Sequence, residues 1–110
     1  MNSDMEKLVV LITTPNEEVA VKIANALVGE NLAACANIVR GIRSICRWKG
    51  EVCDDTECLM VVKTTSDRFD ALKYRVKVLH PYEVPEIIAL PIAKGFEPYL
   101  KWVEENTRIG

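Results

Sequence analysis

The chain has 110 residues, 49% of them hydrophobic and 27% charged, and its 14 basic and 16 acidic side chains give a formal charge of −2 with the single histidine neutral. That length holds one domain over residues 1–110 and hardly more. The hydrophobic share excludes wholesale disorder, and the slightly acidic balance excludes the basic stripe expected of a nucleic-acid binder.

The first seven residues, Met1 to Lys7, are polar and acidic. A secretory signal would instead begin basic and continue into a long apolar stretch. The apolar run from Leu8 to Ile12 is far shorter than the roughly 20 residues a membrane span needs. The expectation is a cytosolic protein with no membrane partner. Lys7 to Thr14 reads as a strand, since Leu8, Val9, Val10, Leu11 and Ile12 form a short, largely β-branched run. Thr14-Pro15-Asn16-Glu17 then opens a helix, with Thr14 as the expected N-cap and Glu17 completing a capping box. Val19, Ala20, Ile23, Ala24, Leu27 and Val28 recur at helical spacing to about Glu30, where Gly29 and Asn31 are the expected terminators.

Two long β segments follow, Ala34 to Trp48 and Glu51 to Thr64, flanking Lys49-Gly50 as a hairpin turn. Gly41 marks a bend or bulge in the first arm. A two-residue turn makes opposed positions sum to 99, so Trp48 faces Glu51 and Cys46 faces Cys53. Arg43, Arg47, Lys49, Glu51, Asp54 and Asp55 crowd the tip, which should project into solvent with cross-strand ion pairs. Ser66-Asp67 opens a second helix with Phe69, Leu72, Val76 and Leu79 on one face, broken by the two prolines of His80-Pro81-Tyr82-Glu83-Val84-Pro85-Glu86. Ile87 to Ile92 is a last strand. Glu97-Pro98 starts a short helix carrying Tyr99, Trp102 and Val103.

The order β-α-β-β-α-β plus one helix predicts an α+β, ferredoxin-like split βαβ fold with an extra C-terminal helix. Such a sheet carries its two main helices on one face, so strands with a wet second face should alternate apolar and polar. These strands are apolar on both sides: Val9 and Leu11 oppose Leu8, Val10 and Ile12; Leu59 and Val61 oppose Met60 and Val62; Ile88, Leu90 and Ile92 oppose Ile87 and Ala89. A whole face of such side chains demands a cover. Either further copies of the chain supply it, or the C-terminal helix covers part of it.

Several segments are familiar. They are Thr13-Thr14-Pro15-Asn16-Glu17-Glu18-Val19-Ala20, Leu32-Ala33-Ala34-Cys35-Ala36-Asn37-Ile38-Val39, Gly41 to Ile45, Trp48-Lys49-Gly50, Lys63-Thr64, and His80-Pro81-Tyr82-Glu83-Val84-Pro85-Glu86-Ile87-Ile88. From about Lys7 to Val103 the chain resembles the CutA family of divalent-cation tolerance proteins. The resemblance implies a homotrimer, cytosolic in bacteria and archaea, similar in architecture to the PII signalling proteins and linked to tolerance of copper and other divalent metals. No catalytic reaction comes with it.

The resemblance also implies copper ligation by a cysteine just before the Thr-x-Pro turn and by a histidine pair at the His-Pro-Tyr motif. Ile12 and Leu79 occupy two of those positions here, leaving His80 as the candidate metal ligand. Its alternative role is a structural imidazole beside Pro81. The family motifs further pick out Trp48, Lys63, Tyr82 and Glu86 as candidate ligand-binding residues. Lys63 and Glu86 could hold an anionic ligand or cross-link subunits.

The four cysteines, Cys35, Cys46, Cys53 and Cys58, contain no Cys-x-x-Cys. Half-buried reduced thiols are expected, with Cys46 and Cys53 as the one pair whose register would allow a redox link or a soft-metal bite. No phosphate loop, nucleophile elbow or His-Glu-x-x-His occurs, so no enzyme is predicted. The resulting expectation is a trimeric divalent-cation tolerance protein with metal or small-ligand sites at subunit clefts. The second reading is a PII-like signalling or scaffold trimer without physiological metal binding.

Overall fold

The computed structural model describes residues 5–108. Four strands form one antiparallel sheet: β1 (Lys7–Thr14), β2 (Cys35–Trp48), β3 (Glu51–Thr65) and β4 (Ile87–Pro91), in the order β2-β3-β1-β4. Three helices, α1 (Glu17–Gly29), α2 (Phe69–Leu79) and α3 (Glu97–Glu105), complete the α+β architecture, with a short 3₁₀ turn (Ser66–Arg68) leading into α2. This is the ferredoxin-like pattern with an added C-terminal helix.

Local chemistry explains the boundaries. The cap of α1 is Asn16 rather than Thr14: its side chain accepts the Val19 N–H at 2.9 Å. Thr14 stays in β1, buried, and its hydroxyl donates to the Asn16 carbonyl at 2.9 Å. Pro15 therefore sits outside the helix, and Asn16 takes the capping role because its side chain reaches the orphan amide directly. At the other end Asn31 adopts φ +60, while the amides of Leu32 and Asn31 bond the carbonyls of Leu27 and Val28. That is a Schellman stop with asparagine in the left-handed position.

Alternation of side chains builds the core. Leu8, Val10 and Ile12 of β1 and Cys58, Met60 and Val62 of β3 point to one side, where Ala20, Ile23 and Leu27 of α1 and Leu72 and Val76 of α2 meet them. Large apolar side chains of this kind contribute roughly 1.5–3 kcal/mol each when fully buried.

The opposite face is only partly covered. Lys7 and Thr65 alternate with buried Leu8 and Thr64, and so stand on the helix-free side. There Lys7 pairs with Glu104 at 3.2 Å, Thr65 lies 3.2 Å from the Thr107 hydroxyl, and Val103 of α3 is fully buried. Helix α3 thus lies over one end of β1 and β3. Further along the same face Val9, Leu11, Leu59 and Val61 are half-buried, while Val39, Ile88 and Leu90 are 45–50% exposed.

The β2–β3 hairpin projects beyond this body, and the molecule measures 48 × 26 × 22 Å. The register is Trp48 against Glu51 and Cys46 against Cys53, and it shifts between Val39 and Ile42, where Gly41 has φ +70. Lys49 and Gly50 both have positive φ, +51 and +81, the type I′ geometry whose twist matches that of the strands. Arg43 donates through Nε and Nη2 to both carboxylate oxygens of Asp54, at 2.9 and 2.7 Å. Asp54 lies diagonally along the ladder, since the residue directly opposite Arg43 is Thr56.

Candidate functional site

Alternation along the hairpin decides what its inner wall presents. Beyond the bulge, Ser44, Cys46 and Trp48 of β2 pair with Asp55, Cys53 and Glu51 of β3, so their side chains share one face. Glu57, opposite Ile42, belongs to the same face.

The segment after α2 closes the other wall. Two prolines prevent α2 from continuing, and side-chain hydrogen bonds hold the turn that follows. The His80 Nε2–H donates to the Thr13 carbonyl at 2.7 Å, Lys77 Nζ donates to the Glu83 carbonyl at 2.7 Å, and the Tyr82 hydroxyl donates to Glu57 Oε2 at 2.7 Å. Between hairpin and turn lies a cleft of about 520 Å³ lined by Thr13, Ser44, Cys46, Arg47, Trp48, Cys53, Asp55, Glu57, Pro81, Tyr82, Glu83, Val84 and Glu86.

The structure thereby brings together three of the four expected ligand-binding residues: Trp48, Tyr82 and Glu86. Lys63 stands elsewhere. It lies opposite Val9 and Cys35, and its ammonium donates to Asn37 Oδ1. Glu86 immediately precedes Ile87, which pairs with Ile12, so three strand positions separate Ile12 from the Val9 that faces Lys63. At about 3.3 Å per residue, Lys63 and Glu86 do not form an ion pair within one chain.

His80 is 6% exposed and both of its ring nitrogens are engaged. Nδ1 accepts the Tyr82 amide N–H at 3.1 Å while Nε2 donates to Thr13, and the Tyr82 ring packs against the imidazole at 4.8 Å between centroids. These contacts hold the imidazole within the turn beside Pro81. A metal at either nitrogen would first have to displace one of these partners. Among the described residues no three His, Cys, Asp or Glu side chains are grouped to hold a metal ion.

The residues lining the cleft include four acidic ones, Asp55, Glu57, Glu83 and Glu86, and one basic one, Arg47. Burial raises the Tyr82 phenol well above its ordinary value of 10.0, and the hydrogen bond and negative charge of Glu57, with the charge of Asp55, push it further. Tyr82 therefore acts as a proton-bearing donor throughout the neutral range. Trp48 keeps 44% exposure, with the Lys49 ammonium 5.7 Å from its ring centroid. Asp55, Glu57 and Glu83 were not singled out from the sequence. The hairpin register, which puts 53, 55 and 57 on one side with Cys46 and Trp48, was the signal for the first two, whereas Glu83 enters through the fold of its turn alone.

Fold and cleft together define a ferredoxin-like α+β protein with a projecting hairpin and an acidic, aromatic-edged cleft along the hairpin's inner face. The chain belongs to the CutA1 divalent ion tolerance family, whose sequence model matches residues 8–106. It is 65% identical over 99 residues to the divalent-cation tolerance protein CutA of Thermus thermophilus, covering 90% of this chain and 96% of that one. A solved structure of the divalent cation tolerance protein from that organism superposes with a TM-score of 0.91 at 63% identity, covering 93% and 99% of the two chains. CutA1 from Oryza sativa does so with a TM-score of 0.91 at 45% identity, covering 96% of each. The chain spans 56% of the length of a chloroplastic CutA protein of Arabidopsis thaliana, with 46% identity over 101 residues, 92% of this chain. The family is named for tolerance of divalent ions, not for a reaction.

Proposed function

We propose that this protein serves divalent-cation tolerance, with copper among the cations, as a cytoplasmic homotrimer of single-domain chains that binds its ligand at clefts rather than catalysing a reaction. The observation that carries this reading is the cleft between hairpin and turn. Its lining has four acidic residues and one basic one, a balance that favours cations. Trp48, Tyr82 and Glu86 are its ligand-contacting residues, and Lys63, bonded to Asn37, serves the sheet edge instead. In the trimer the cleft lies at a subunit boundary, where a second chain supplies further donors. The exposed Val39, Ile88 and Leu90 on the helix-free face supply the drive for copies to associate.

A second reading rests on His80. With both nitrogens in hydrogen bonds, His80 favours a PII-like trimer that presents its hairpins to a protein partner and has no physiological metal site.

Equilibrium dialysis with Cu(II), Cu(I) and Zn(II) separates the two. Stoichiometric binding that Glu57→Gln and Glu86→Gln weaken supports the cleft. If His80→Gln, which keeps a donor for Thr13, also abolishes it, His80 is itself a ligand. Weak binding indifferent to all three substitutions leaves the PII-like reading.

A further inference from the structure

Four thiols are present, and the fold sorts them. Cys58 is 5% exposed and points into the core. Cys35 is half-buried, lies opposite Lys63 and contacts Asn37 at 3.9 Å. Cys46 is exposed, Cys53 is half-buried, and the two are directly opposed across the hairpin with both lining the cleft.

We propose that Cys46 and Cys53 form a thiol-modification site: a cross-strand dithiol that exchanges with small-molecule disulfides of the glutathione type and closes into an intrachain disulfide within the cleft wall. The inference is independent of cation binding.

Geometry is the first support. Directly opposed residues of an antiparallel pair have Cα atoms about 4.5–5.5 Å apart, inside the roughly 4.4–6.8 Å range a disulfide spans. Locked register is the second. The type I′ turn at Lys49-Gly50 fixes one side of the pair, and the two-pronged Arg43–Asp54 contact fixes the other, so the sulfurs cannot slip out of opposition. Access is the third, because the more exposed sulfur, on Cys46, can meet an oxidant while Cys53 waits beside it.

The exchange balances in two steps. The Cys46 thiolate attacks one sulfur of the small disulfide, forming a mixed disulfide and expelling one small thiolate. The Cys53 thiolate then attacks the Cys46 sulfur, forming the Cys46–Cys53 bond and expelling the second. The protein dithiol loses two electrons and two protons, and the small disulfide is reduced to two thiols. Closure ties the strands together beside Trp48.

The test incubates the protein as purified with oxidised glutathione, followed by intact mass and non-reducing peptide mapping. The expected result is loss of two hydrogens, a Cys46–Cys53 linked peptide, quenching of Trp48 emission by the adjacent disulfide, and full reversal by dithiothreitol. Cys53→Ser should stop at a glutathione adduct on Cys46. The proposal is overturned if Cys46 and Cys53 stay unlinked, if each ends with its own adduct, or if the bonds formed involve Cys35, Cys58 or a second chain.

Discussion

His80 holds the turn after α2 through both of its nitrogens and is buried. Removing the ring strands the Thr13 carbonyl and the Tyr82 amide and opens a cavity. His80→Ala should therefore cost about 2–4 kcal/mol, read as a lower urea midpoint. The Tyr82 hydroxyl makes a single hydrogen bond, to Glu57, and the residue is partly wet, so Tyr82→Phe should cost about 1 kcal/mol or less. Its pH signature is sharper. Burial first, then Glu57 and Asp55, raise the folded phenol above 10.0, so the folded state holds this proton more tightly than the unfolded one. The resulting stabilisation is complete below pH 10 and is lost as the pH rises through the folded value. In an alkaline absorbance titration, the wild-type minus Tyr82→Phe difference should stay flat at pH 10 and rise only at higher pH. A difference that rises with ordinary phenol behaviour would remove Glu57 and burial as controls.

The hairpin is the element on which the cleft depends, and two backbone positions shape it. Gly50 at φ +81 and Gly41 at φ +70 take a conformation that costs other residues energy, so an alanine at either should destabilise by about 1 kcal/mol. Lys49 carries the same strain at φ +51 without being glycine or asparagine. Lys49→Asn should accordingly raise the thermal midpoint, because asparagine is favoured at the first central position of a type I′ turn. An unchanged or lower midpoint would mean that the Lys49–Trp48 contact outweighs the backbone gain. The Arg43 guanidinium holds the Asp54 carboxyl below its ordinary value of 3.8, so this link is intact above that value and lost as pH falls through the lowered one. Both groups lie in open solvent, and the contact serves register more than stability.

At the scale of the whole molecule, the sheet faces differ in how they are closed. One is sealed by α1 and α2; the other has α3 over one end and exposed Ile88 and Leu90 beyond it. Ile88→Asp with Leu90→Asp leaves the face sealed by α1 and α2 untouched and should leave circular dichroism unchanged. Light scattering should shift from a particle three times the 12.4 kDa chain mass to the single chain. A single chain already present in the wild type would refute the trimer.

Much of this architecture was legible in the linear order of residues. Strand and helix periods, the Lys49-Gly50 turn, the Cys46–Cys53 register and the bend at Gly41 all follow from short-range chemistry, and short-range chemistry survives in a linear reading. The N-cap was misplaced from Asn16 to Thr14 because two adjacent residue types cap well, and only the path of the chain decides which side chain reaches the Val19 amide. The fate of His80 and the company of Lys63 were tertiary decisions. Thr13 lies 67 residues from His80, and Asn37 lies 26 from Lys63. Contacts across such separations are set when the sheet orders its strands and the turn docks on β3, because hydrogen bonding selects among partners that only packing brings within reach.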